Sequence, residues 1–166
     1  MVLNKSELIN ALQHETRILT HLATKVGPSM LKCRPTPKQR SMQEWFEYMS
    51  IIGRNLVTDG RAGGFDAENW QASAKAASAR SFDETVAAIR DLEPFYAKAI
   101  GDMTDEEFRK QVTFFGTTQT LGGFFVNTIL AGHAAYRTQI FCYLKSCGRT
   151  EMGTMNLWAG IDAPAS

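Results

Sequence analysis

The side chains best suited to chemistry gather on one predicted helix. In the stretch TLGGFFVNTILAGHAAYRTQIFCYLKSC, from Thr120 to Cys147, an advance of about 100° per residue groups His133, Tyr136 and Arg137 in the middle of one face. The rest of that face is apolar: Val126, Ile129, Leu130, Ile140, Phe141 and Leu144. Imidazole can hold a divalent metal, and a guanidinium offers a fork of donors that matches a carboxylate or phosphate. Flanked by aliphatic residues, these polar groups are expected to point into the protein, where a polar group without partners is costly.

The first helix supplies a partner. Glu15 projects from the centre of a stripe made by Leu12, Leu19 and Leu22, and packed helices lie roughly 8 to 10 Å apart. An inward carboxylate and an inward guanidinium are therefore expected to meet, in a bidentate contact between Glu15 and Arg137, with His133 and Tyr136 serving the remaining lone pairs. Tyr48 stands near the border of the apolar face of the second helix, where a tyrosine most often packs with its hydroxyl near water. His14 and His21 flank the first helix's stripe. Seven residues separate them by about 10.5 Å of axial rise, too far to share one metal at about 2.1 Å, so His133 is the best single metal candidate and no complete ligand set is expected. No G-x-S-x-G is present, and no cysteine has a histidine partner by sequence.

The elements that must position these residues are helical. Asn4 with Glu7, Ser41 with Glu44 and Ser81 with Glu84 each read as a capping box, and Thr104 with Glu107 starts one more short turn of helix. The first helix is expected to run to about Lys25 or Val26, and the second carries Met42, Trp45, Phe46, Met49, Ile52 and Leu56 on its core face. Residues Thr58 to Arg80 read as a long crossover with room for a short helix, and Gly60, Gly63 and Gly64 as turn chemistry, since no strand or P-loop lysine accompanies them. Pro94 is expected to kink the third helix. Val112 to Thr118, VTFFGTT, has strand-like composition, but a lone strand has nothing to pair with, so a buried loop seating Phe114 and Phe115 is expected. The tail from Arg149 is too short and turn-rich for a helix, and its NLWAGI segment is expected to dock on the bundle or on a neighbouring subunit.

Composition bounds the partners. The 166 residues, 44% apolar, suffice for one domain over 1–166. Eighteen basic against seventeen acidic residues leave +1 with neither sign clustered, which gives no footprint for nucleic acid or an anionic membrane. With no signal-like start and no run of eighteen apolar residues, the expected location is cytoplasmic. Cys33, Cys142 and Cys147 make an odd count without metal spacing, which fits reduced thiols.

With helical segments throughout, SMQEWFEYM opening the second and HAAYRTQIFCYLK in the last, nearly the whole chain resembles the DinB/YfiT-like superfamily. The resemblance implies an all-α, up-down-down-up four-helix bundle with a long crossover between helices two and three, often dimeric. It also implies a site near one end where histidines hold a divalent metal (zinc, nickel or manganese) for hydrolase or thiol-dependent transferase chemistry. Ser41, Met42 and Glu44 match the helix-two pattern, and His133, Arg137, Gln139, Tyr143 and Leu144 match the helix-four pattern. Tyr48 and Tyr136 stand where two of the three histidines would be. A neutral phenol is a poor ligand beside imidazole, so the expectation is a metal-free, homodimeric bundle that keeps the family pocket, lined by Glu15, Tyr48, His133, Tyr136 and Arg137, for a small molecule.

Overall fold

In the computed structural model, which describes residues 3–164, the chain is mostly helical, with one small sheet. In order come α1 (Lys5–Ala23), a 3-10 turn (Pro28–Met30), α2 (Met42–Ala62), α3 (Ala67–Ser78), α4 (Phe82–Arg90), α5 (Leu92–Gly101) and α6 (Asp105–Arg109). Strands β1 (Gln111–Phe114) and β2 (Thr117–Thr120) follow, then α7 (Leu121–Phe124), a π turn (Phe125–Leu130), α8 (Ala131–Ser146) and α9 (Thr154–Trp158). The three expected capping boxes form, and Thr104 with Glu107 makes a fourth. At the first, Asn4 accepts from the Glu7 amide at 2.9 Å while Glu7 reaches back to the Asn4 amide at 2.8 Å, which satisfies two donors that the helix start would otherwise strand.

The core lies where α1 packs on α4, α5 and α8 while α2 packs on α3, α4, α5 and α8. Leu12, Phe46, Ile89, Phe124 and Ile140 are fully buried there, each side chain contributing about 1.5 to 3 kcal/mol of apolar burial. α1 ends at Ala23, somewhat before the expected Lys25 or Val26. Pro94 does not kink a continuous helix. The chain breaks at Asp91 and Pro94 occupies the first turn of α5, where its missing N–H removes no helical bond.

The crossover contains α3, held on α2 by Trp70 Nε1 donating to Asp59 Oδ2 at 2.8 Å and by Ser73 Oγ donating to Asn55 Oδ1 at 3.3 Å. Gly63, at φ 85°, closes α2 as turn chemistry requires. Gly60 instead lets α2 approach α7 closely, because a Cβ there would stand 2.9 Å from Leu121 Cδ1 and 3.1 Å from the rings of Phe124 and Phe125.

Three further expectations are corrected. VTFFGTT is a hairpin rather than a loop, because the chain reverses at Phe115 and Gly116, both at positive φ (52° and 78°), and this two-residue turn lets β1 pair with β2, Gln111 opposite Thr120 and Phe114 opposite Thr117. Phe114 stacks on Phe124 at 4.4 Å, but Phe115 projects outward, 74% exposed. The tail does make a helical turn, α9, docked on α1 and α8. The cysteines are not all reduced: Cys33 and Cys147, 114 residues apart in sequence, form a disulfide, and Cys142 alone is a free thiol. The loop after the 3-10 turn carries Cys33 to the end of α8, a proximity that no sequence spacing encodes. Among the described residues no helix is long and apolar enough to cross a membrane.

Candidate functional site

Glu15 and Arg137 meet. Arg137 Nε lies 2.7 Å from Glu15 Oε2, with both side chains almost wholly buried. The approach is an ion-pair contact rather than an aligned hydrogen bond, since neither atom has a hydrogen-bond partner among the described residues. Arg137 also donates through Nη1 to the Leu157 carbonyl, and the Trp158 ring covers its guanidinium at 5.2 Å. The tail thus closes one side of the pair, and His14 Nε2 fastens it at 2.9 Å from the Trp158 carbonyl oxygen. Burial pushes the Glu15 carboxyl above the usual carboxylate range, against the opposing pull of Arg137.

His133 is fully buried but turns to another neighbour. Its Nδ1 is 3.0 Å from the Ile129 carbonyl oxygen, which can only accept, so Nδ1 carries the proton. Nε2 then accepts from the Tyr96 hydroxyl at 3.0 Å. Gly53 on α2 makes room for this pair: a Cβ there would stand 1.7 Å from Tyr96 Oη and 3.1 Å from His133 Cε1. Burial drives the imidazole down to about 4 from 6.5 and the Tyr96 phenol well above its usual range.

A pH dependence follows from His133. Between pH 6.5 and about 4 the unfolded chain holds a proton that the native state refuses, so stability falls as pH drops through that window. The slope is about 1.4 kcal/mol per pH unit, about 3 kcal/mol in all. Urea denaturation of wild type and His133→Gln at pH 7 and pH 4.5 measures it, with the smaller acid loss expected in the variant; identical losses would contradict the assignment.

Tyr48 and Tyr136 occupy a third place. Their rings lie 5.4 Å apart, edge to face, and Trp45 joins them at 5.3 Å from Tyr136 and 6.2 Å from Tyr48, with Tyr143 beyond at 6.3 Å from Trp45. The Arg40 guanidinium stands over Tyr48 at 4.3 Å and over Trp45 at 5.0 Å. Burial, with Tyr136 adding to it, pushes the Tyr48 phenol up to about 12. Two buried donors of the cluster, Trp45 Nε1 and Tyr143 Oη, have no partner among the described residues. Tyr48 and Arg40 also line a groove of about 430 Å³ with Arg34, Lys38 and, on the α3 side, Ala74 and Ala77. Glu44, on the same wall, is already engaged by Ser41 and Arg34.

The five residues singled out by sequence therefore fall in three places: the Glu15–Arg137 pair, the His133–Tyr96 pair, and the Tyr48–Tyr136 cluster. Sequence reasoning missed Tyr96, Gly53, Trp45 and Arg40. Tyr96 and Trp45 read as core at helical spacing, and nothing local distinguishes them. The metal that the family likeness implies does not fit these residues: both nitrogens of His133 are taken, burial holds Tyr48 as a phenol, and among the described residues no group of three His, Cys, Asp or Glu is placed to hold an ion. No family model matches the chain, and no curated protein matches it.

Proposed function

We propose that the chain is a divergent DinB/YfiT-like up-down-down-up four-helix bundle that works without a resident metal and binds a small anionic molecule in the groove beside Tyr48. The four rods are α1, α2, the broken α4 and α5, and the helical stretch 121–146, with α3 in the crossover. The observation that carries the reading is the Tyr48–Tyr136 contact at 5.4 Å: the two positions that the likeness assigns to metal-binding histidines come together, as aromatic rings. Beside them the groove is lined by Arg34, Lys38 and Arg40, which outnumber Glu44 and Glu47, and the Arg40 guanidinium over Tyr48 suits an acceptor such as a carboxylate or phosphate ester.

Calorimetric titration with benzoate and phenyl phosphate tests this. Both are expected to bind saturably, and Arg40→Ala, an exposed residue, is expected to weaken them at least tenfold, about 1.4 kcal/mol, without changing the circular dichroism. Unchanged affinity in the variant would refute the assignment. Near-stoichiometric zinc, nickel or manganese in protein purified without chelator or nickel resin would instead favour the metal-dependent hydrolase or transferase.

A homodimer belongs to the same reading, supported by the exposed rings of Phe65 and Phe115, 6.3 Å apart, and light scattering reads it directly. A cytoplasmic location loses the support of reduced cysteines, since a disulfide persists best in an oxidising compartment.

A further inference from the structure

A second cavity, of about 730 Å³, opens where the start of α1, helix α6 and the π turn converge. It shares no lining residue with the groove beside Tyr48, and its volume lies within the roughly 300 to 1,000 Å³ of small-ligand sites. Leu8, Phe108 and Val126 make its surface largely apolar. Its wall is fixed by close packing: a Cβ on Gly122 would stand 2.6 Å from Phe108 Cδ1, so the Phe108 ring lies directly against the α7 backbone, and its far side meets Phe125 edge to face at 5.9 Å. The π turn, a geometry that recurs at functional sites, contributes Val126 and Asn127 to the lining, and Asn127 Nδ2 is tied to Gln119 Oε1 at 2.8 Å.

The charges on the lining do not cancel. Lys5 and Arg109 face the single carboxylate of Asp105. Lys5 lies 3.8 Å from that carboxylate and donates to the Met103 carbonyl, whereas Arg109 has neither an ion pair nor a side-chain hydrogen bond among the described residues. An apolar wall with one spare guanidinium matches an amphiphile with a hydrocarbon body and an anionic head. We infer that this cavity is a second binding site, for a monomeric amphiphilic carboxylate whose hydrocarbon lies along Leu8, Phe108 and Val126 while its carboxylate pairs with Arg109.

Titration with sodium decanoate, below the concentration at which it forms micelles, tests the site. In the Arg40→Ala chain, whose groove is weakened, one saturable site is expected to remain, with decanol at least tenfold weaker. Arg109→Ala, a change to an exposed residue on α6, is expected to weaken decanoate tenfold, and Val126→Trp to abolish binding by filling the cavity. Arg40→Ala is expected to leave the affinity of this site unchanged while weakening any decanoate held in the groove, which separates the two. Absence of saturable binding, equal affinity for decanol, an Arg109→Ala protein that binds as wild type, or loss of decanoate binding in Arg40→Ala would each overturn the assignment.

Discussion

Reducing the Cys33–Cys147 disulfide is expected to lower the melting temperature by roughly 8 to 20 °C. The bond closes a segment of 114 residues, and the loop-closure entropy it removes from the unfolded chain corresponds to about 4 to 5 kcal/mol, at about 2 to 4 °C per kcal/mol for a chain of this size. The consequence extends to the groove. Its basic wall, Arg34, Lys38 and Arg40, lies on the loop that the disulfide ties to the end of α8. Backbone bonds from Met42 to the Cys33 carbonyl and from Gln43 to the Leu31 carbonyl hold only the base of that loop. Reduction is therefore expected to weaken benzoate binding as well as stability. Alkylation followed by mass measurement provides the internal check: the native chain should take up one label, at Cys142, and the reduced chain three. A reduced protein that melts within 2 °C of the oxidised one would show that the cross-link constrains little.

Local chemistry was legible wherever the signal lay within one turn of helix. Asn4, Ser41, Ser81 and Thr104 each start a helix because cap and reciprocal Glu sit three residues apart. Glu15 and Arg137 could be paired in advance because a charge at the centre of each apolar stripe has nowhere else to go. His133 could not be placed the same way. One turn before Arg137 along the same helix, it meets what packs at its own level, which is Tyr96 on α5 rather than Glu15 on α1. The hairpin was hidden because Phe115 and Gly116 lack the usual Asn-Gly turn signature, and Phe115 takes a positive φ that its side chain does not favour. Gly53 and Gly60 carry no local signal at all. Their purpose appears only when Tyr96, His133 and the α7 aromatics are packed against α2.

Glu15→Ala is expected to destabilise the fold by about 3 kcal/mol, a fall in melting temperature of roughly 6 to 12 °C. The loss comes from what the substitution leaves behind rather than from the pair's own strength. Arg137 remains buried, its side chain 4% exposed, with only the Leu157 carbonyl and the face of Trp158 around its charge. Neither neutralises a guanidinium in a low-dielectric interior. Replacing both partners by apolar residues, Glu15→Leu with Arg137→Met, removes the desolvation cost of two ions together with their attraction, and is expected to cost far less than Glu15→Ala alone. The comparison of single and double variants by urea denaturation isolates the coupling between the two side chains. The tail supplies a second readout, because Trp158 is held over the pair by Arg137 and by His14, so the double variant is expected to expose Trp158 further and shift its fluorescence to the red. If Glu15→Ala melted within a degree of wild type, or if the double variant were the less stable of the two, the ion pair would not be what holds these two helices in register.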